Sequence, residues 1–134
     1  MARRVAVTGV GPISPIGTGK EAFWESLRAG RSGVRCVEDR VDLEGIDVKI
    51  AAPVDGFDPD EYIDPKKARR LDRSAQFALA ATALALRDAE IDVGETDADR
   101  FGVVVGTGIG GMEAFEENFT ILPVSYTHLT LPTN

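Results

Sequence analysis

A chain of 134 residues that is 43% hydrophobic and 28% charged is long enough to bury one core, and its composition is that of a globular domain. Fifteen basic against 22 acidic residues leave a formal net charge of −7, which argues against general binding to nucleic acid or to an anionic membrane, since both reward a basic surface. One cysteine, Cys36, excludes a disulfide framework, and the lone His128 leaves no Cys/His set of metal-binding spacing, so no metal or cofactor is expected and a reducing, cytoplasmic setting is.

The opening run Arg4 to Thr8, RVAVT, reads as a buried first strand closed by a tight loop with Gly9, Gly11, Pro12, Pro15 and Gly17. The same glycines cut the apolar run too short for a signal peptide, and no cleavage pattern follows. Thr18 and Glu21 have the spacing of a capping box, and Ala22, Phe23, Ser26 and Leu27 then recur at helical intervals up to Gly30. The stretch from Gly30 to Gly45 is irregular and polar. Asp47 to Val54 reads as a short strand.

Asp58-Pro59 and Asp64-Pro65 each place a capping carboxylate before a proline at the first helical position, so a helical turn is expected at both. From Lys66 one long helix is expected to run to about Glu90. It begins basic and then becomes apolar nearly all round, which requires burial on every face, with alanines that permit close approach of neighbours. Thr96 to Arg100 is a polar connection. Phe101 to Val105 lacks polar alternation and reads as a strand covered on both faces, so the order of strand, helices and strand implies a layered α/β domain. Met112 to Leu122 can form a further helix. From Pro123 the helical period is lost, and residues 123–134 read as a non-native tail, the translation of a sequencing adapter. No run approaches the length of a membrane span.

Three constellations could carry function. Gly106-Thr107-Gly108-Ile109-Gly110-Gly111 fits G-x-G-x-x-G after a strand and before a helix, the context in which a helix N-terminus receives pyrophosphate. Twenty residues on, where an acidic ribose partner belongs, lies the suspect tail. The alternative is that these glycines line a slot for an apolar chain. Gly9 and Gly11 invite the same phosphate reading but lack the third glycine, and tight turns or close packing explain them equally well. Lys66, Arg69, Arg70 and Arg73 share one helical face by i, i+3, i+4, i+7 spacing and could meet an acidic partner; the simpler alternative pairs them with the acidic run Asp55, Asp58, Asp60, Glu61 and Asp64. Cys36 has no partnering histidine, since residues 1–122 contain none, so no Cys-His or Ser-His-Asp arrangement can be built.

Taken in series, VAVTGVGPISPIG, FWESLRAGRSGV, KKARRLDRSAQFALAATALALRDA and FGVVVGTGIGG with EEN after it resemble the N-terminal part of the β-ketoacyl-acyl-carrier-protein synthases, most closely the type II synthase of fatty-acid elongation. The resemblance covers residues 2 to about 122. It implies the N-terminal portion of a thiolase-like layered α/β/α/β/α fold, incomplete in this chain, and a cytoplasmic homodimer when full length. The implied reaction is a decarboxylative Claisen condensation of acyl and malonyl thioesters of acyl-carrier protein. The family's nucleophilic cysteine and two histidines fall beyond this sequence, so no catalytic residue is expected within it and the chain alone is expected to be inactive. Lys66, Arg69 and Arg70 fall where the family faces its acidic carrier protein. Ile109, within Gly108-Ile109-Gly110-Gly111, falls on the residue that gates the bottom of the acyl pocket. Nucleotide binding by the Gly106–Gly111 loop is the alternative function.

Overall fold

The computed structural model describes residues 4–125. In chain order it holds β1 (Ile13–Ser14), β2 (Gly17–Thr18), α1 (Lys20–Arg28), β3 (Arg35–Cys36), β4 (Ile50–Ala51), α2 (Pro65–Ala68), α3 (Arg73–Asp88) and α4 (Met112–Ser125), with 3₁₀ turns at Pro59–Glu61, Val93–Glu95 and Ala98–Arg100. The sheets are two antiparallel pairs. In β1 and β2, Ile13 faces Thr18 and Ser14 faces Gly17; in β3 and β4, Arg35 faces Ala51 and Cys36 faces Ile50.

Local chemistry fixes the helix ends. Asp58 accepts from the Asp60 amide at 2.9 Å and starts the first 3₁₀ turn, while Asp64 accepts from the Lys66 and Lys67 amides at 3.0 and 3.2 Å and starts α2, as their Asp-Pro signals predict. α1 ends where Gly30 takes φ 63, and its amide and that of Arg31 donate to the carbonyls of Leu27 and Ser26. α3 ends in the same way at Glu90, a non-glycine residue at φ 53.

The long helix expected from Lys66 to Glu90 is divided. Asp72 sits at ψ 153, outside helical geometry, and its carboxylate accepts from the Ser74 amide at 2.8 Å, so α3 starts afresh there. Gln76 donates from Nε2 to the carbonyls of Ala68 and Leu71 and ties the end of α2 to the new helix. The capping box expected at Thr18 is also replaced: Thr18 is engaged in β2, and Gly19 precedes α1 with no side-chain cap.

A small core gathers on α3. Phe57, Ile63, Ala68 and Ala80 are buried, the Phe57 ring lies 4.9 Å from that of Phe77, and the Arg73 guanidinium stands over both rings. α3 is nevertheless not covered on every face, since Leu79 is 48% exposed and Ala80 alone in the helix is fully buried. The valine-rich runs at 4–8 and 101–105 join no ladder among the described residues, and Val5 and Val104 are 91% and 98% exposed. A strand apolar on both faces needs neighbouring strands for its backbone hydrogen bonds, and none is placed beside either run. Both runs do come to one groove over Ala85, Leu86 and Ala89 of α3. α4 runs on through the first three residues of the expected tail, to Ser125; the rest of that tail, with His128, lies outside the described residues.

Candidate functional site

Three features meet around the start of α3: a basic turn, a glycine loop and a carboxylate between them. Lys66 and Lys67 lie in α2, Arg69 caps its C-terminus and Arg70 follows, all exposed. Three carboxylates of the acidic run expected to neutralise them are otherwise engaged. Asp58 and Asp64 cap backbone amides, and Asp55 is held by Arg35 and Arg40, which keep its carboxyl below the usual carboxylate range. Among the described residues Lys66, Lys67, Arg69 and Arg70 form no ion pair. Arg73 leaves the group: its guanidinium packs on Phe57 and Phe77 and donates to the Val54 carbonyl, so the four-residue face expected from helical spacing is not formed.

The loop 106–111 runs into α4. Gly106 and Gly108 stand in open space, Gly111 takes φ 78 as the chain turns into the helix, and Ile109 between them is 78% exposed. Gly110 is the tight point, where an added Cβ would lie 2.9 Å from Thr107 Oγ1 and 3.2 Å from Ser74 Oγ. Ser74 in turn donates its hydroxyl to Asp72 at 2.6 Å. The Asp72 carboxyl is held below its usual pKa, first by that hydroxyl, then by the Ser74 amide, with the amides of Ala114 and Gly111 adding to the effect. A polar groove lined by Arg69, Arg70, Asp72, Gln76, Glu113 and Glu117 runs between the start of α3 and the start of α4. Sequence reasoning missed Asp72, whose signal was an Asp-x-Ser cap inside a run read as continuous helix.

At the other end of α3, Gly9 and Gly11 approach protein rather than ligand. A Cβ at Gly9 would overlap the Ala85 carbonyl and Ala89, and one at Gly11 the Ala81 carbonyl and the Ala85 amide. Close packing on the alanine face is therefore their role. Asp88 holds this arrangement by accepting from the Val10 amide at 2.9 Å and from Lys20 at the start of α1. Between α1 and α3 lies an open apolar groove of about 1030 Å³, lined by Val10, Phe23, Trp24, Leu27, Ala81 and Ala85, which the sequence reading did not anticipate. Its lining is mostly apolar, with Lys20, Glu21 and Thr82 as its polar side chains. Cys36 is exposed, donates to Glu38 at 3.3 Å and has no basic hydrogen-bond partner among the described residues. The described residues contain no group of three His, Cys, Asp or Glu side chains able to hold a metal ion.

The family model described as "Beta-ketoacyl synthase, N-terminal domain" matches residues 2–127. The chain belongs to the β-ketoacyl synthase family. This ketosynthase chain is 43% identical over 114 residues to the 3-oxoacyl-[acyl-carrier-protein] synthase 2 of Staphylococcus aureus (strain COL), covering 85% of its own length and 27% of the relative's. It is 39% identical over 120 residues to the protein of the same name from Synechocystis sp., covering 90% of itself and 29% of that protein. It thus spans under a third of the length of these curated relatives. Among solved structures it superimposes on the ishigamide ketosynthase/chain length factor with a TM-score of 0.69 at 33% identity, over 89% of this chain and 29% of that one. A β-ketoacyl synthase from Burkholderia phymatum STM815 gives 0.65 at 29% identity, over 89% and 30%. The fold is accordingly part of the thiolase-like α/β fold of the ketosynthases. The nucleotide-binding reading of the Gly106–Gly111 loop finds no support in this family membership. No helix among the described residues is long and apolar enough to cross a membrane.

Proposed function

We propose that residues 1–122 are the first part of a 3-oxoacyl-acyl-carrier-protein synthase that lengthens fatty-acyl chains, a cytoplasmic homodimer when complete, and that residues 123–134 are a non-native tail. The observation that carries this reading is the basic group Lys66, Arg69 and Arg70, exposed and without ion pairs among the described residues in a chain of this family, and so open to an acidic carrier protein. In the reaction, a cysteine thiolate attacks the acyl thioester and expels the carrier's thiol. Malonyl carrier protein then loses carbon dioxide, and the carbanion so formed attacks the acyl-enzyme carbonyl, making the carbon–carbon bond and releasing the cysteine. That cysteine and the two histidines that stabilise developing charge belong to residues outside this chain. What this chain supplies is recognition: the basic turn docks the carrier, and Gly108, Ile109, Gly110 and Gly111 line the far end of the acyl slot. Glycines on either side of a branched apolar side chain suit a lipid wall.

The test uses a complete synthase, made by joining residues 2–122 to the remainder of the Staphylococcus aureus relative. It is expected to condense acyl and malonyl carrier protein, and absence of condensation by the folded protein would remove the assignment. Reversing Lys66, Arg69 and Arg70 to Glu is expected to raise KM for the acyl carrier about tenfold at low salt, with a smaller effect at high salt, because the contacts are exposed and screened. An unchanged KM would remove the docking role.

A further inference from the structure

The start of α3 approaches the acyl-slot loop through Ser74, which Asp72 holds, two side chains for which the reaction has no direct use. Asp72 accepts both the amide and the hydroxyl hydrogen of Ser74, and Ser74 Oγ lies against Gly110 so closely that even a methyl group there would press on it. Asp72 and Ala114, in the first turn of α4, line the same polar groove. The loop is otherwise poorly supported. Gly106 and Gly108 have no neighbours against which a side chain could rest, and Ile109 is exposed. The loop is thus approached from one side, at Gly110, by Ser74, whose hydroxyl Asp72 holds. Gln76, one turn further along α3, anchors the same helix start to the carbonyls of Ala68 and Leu71.

We propose that Asp72 and Ser74 are positioning residues that fix the Gly108–Gly111 loop against the start of α3 and thereby set how long an acyl chain the slot accepts. This rests on the acyl-slot reading of Ile109. Neither residue touches the reacting atoms; each acts through the loop backbone. A loop released by even a fraction of an ångström moves Ile109, and with it the depth available to the chain end.

The experiment measures kcat and KM of the complete synthase with a series of short to long acyl-carrier primers. For Asp72→Ala and Ser74→Ala, KM for the carrier is expected to stay within about twofold while the ratio of long-primer to short-primer kcat changes by about tenfold. Asp72→Asn, which keeps an acceptor for the Ser74 amide and hydroxyl, is expected to restore most of that ratio. Loss of activity equal at all primer lengths, or an unchanged length profile, would overturn the proposal. If Asp72→Ala does not fold, Ser74→Ala decides alone, since the residue is exposed and the change small. Ile109→Phe, measured in parallel, separates the two readings: if it leaves the profile unchanged, the slot reading itself fails, and if it alone shifts the profile, only the positioning role fails.

Discussion

Ile109 stands between Gly108 and Gly110 with 78% of its surface exposed, and among the described residues no wall closes on it. A phosphate-binding loop works through bare backbone amides and gains nothing from a branched apolar side chain at its centre. An acyl slot does, because a hydrocarbon end is recognised by shape and apolar contact alone. In the complete synthase, Ile109→Phe is expected to reduce condensation of long primers about tenfold or more while sparing short ones, since one pocket residue enlarged by several carbons excludes a chain end by steric overlap. Competition between long and short acyl carriers checks this, and an unchanged preference contradicts it. Gly9 and Gly11 teach the opposite lesson with the same residue type. Their glycine-rich spacing is like that of the loop, yet the atoms they approach are the carbonyls of Ala81 and Ala85, which no local sequence pattern reveals.

At the scale of elements, the helix starts marked by Asp58-Pro59 and Asp64-Pro65 were legible because capping is local chemistry, and so was the end of α3 near Glu90. The division at Asp72 was not, because apolar and basic periodicity continues across it and only the cap hydrogen bonds interrupt the helix. The strands could not be confirmed from composition either, as a ladder exists only where a partner is placed. How α1, the Gly9–Gly11 segment and α3 are held together was equally hidden, since Asp88 joins residues 78 and 68 positions away. Its carboxyl is held below the usual carboxylate value by Lys20 first and by the Val10 amide second. The folded state therefore binds its proton less readily than the unfolded chain does. The stability so contributed is present above the unfolded pKa and is lost as pH falls through about 4 toward the folded value. The melting temperature of the chain is expected to fall more steeply between about pH 5 and pH 3 than that of Asp88→Asn, which no longer titrates. Equal slopes would remove Asp88 as the source; Asp55 and Asp72, whose shifts have the same sign, contribute to the residual slope.

At the scale of the whole molecule, the buried apolar residues among the described ones are few: Val37, Phe57, Ile63, Ala68 and Ala80. Against them stand exposed Val5, Val7, Val103, Val104 and Val105, the stacked but exposed rings of Phe115 and Phe119 on α4, and the open groove between α1 and α3. Domain-sized chains that are stable alone leave apolar residues exposed singly, not as whole strand-type runs. The pattern is intelligible if these runs are sheet strands of a larger ketosynthase, and the family's relatives are more than three times as long. The chain in isolation is thus expected to bind a hydrophobic dye such as ANS strongly, to self-associate with rising concentration and to melt broadly, because its uncovered valines remain available to any apolar partner. Joining residues 2–122 to the remainder of the Staphylococcus aureus synthase is expected to abolish most of the dye binding and to sharpen the melt. A monomer that melts cooperatively and binds no dye without that remainder would mean that the runs at 4–8 and 101–105 find cover within the chain itself, and the larger sheet would then have no physical necessity.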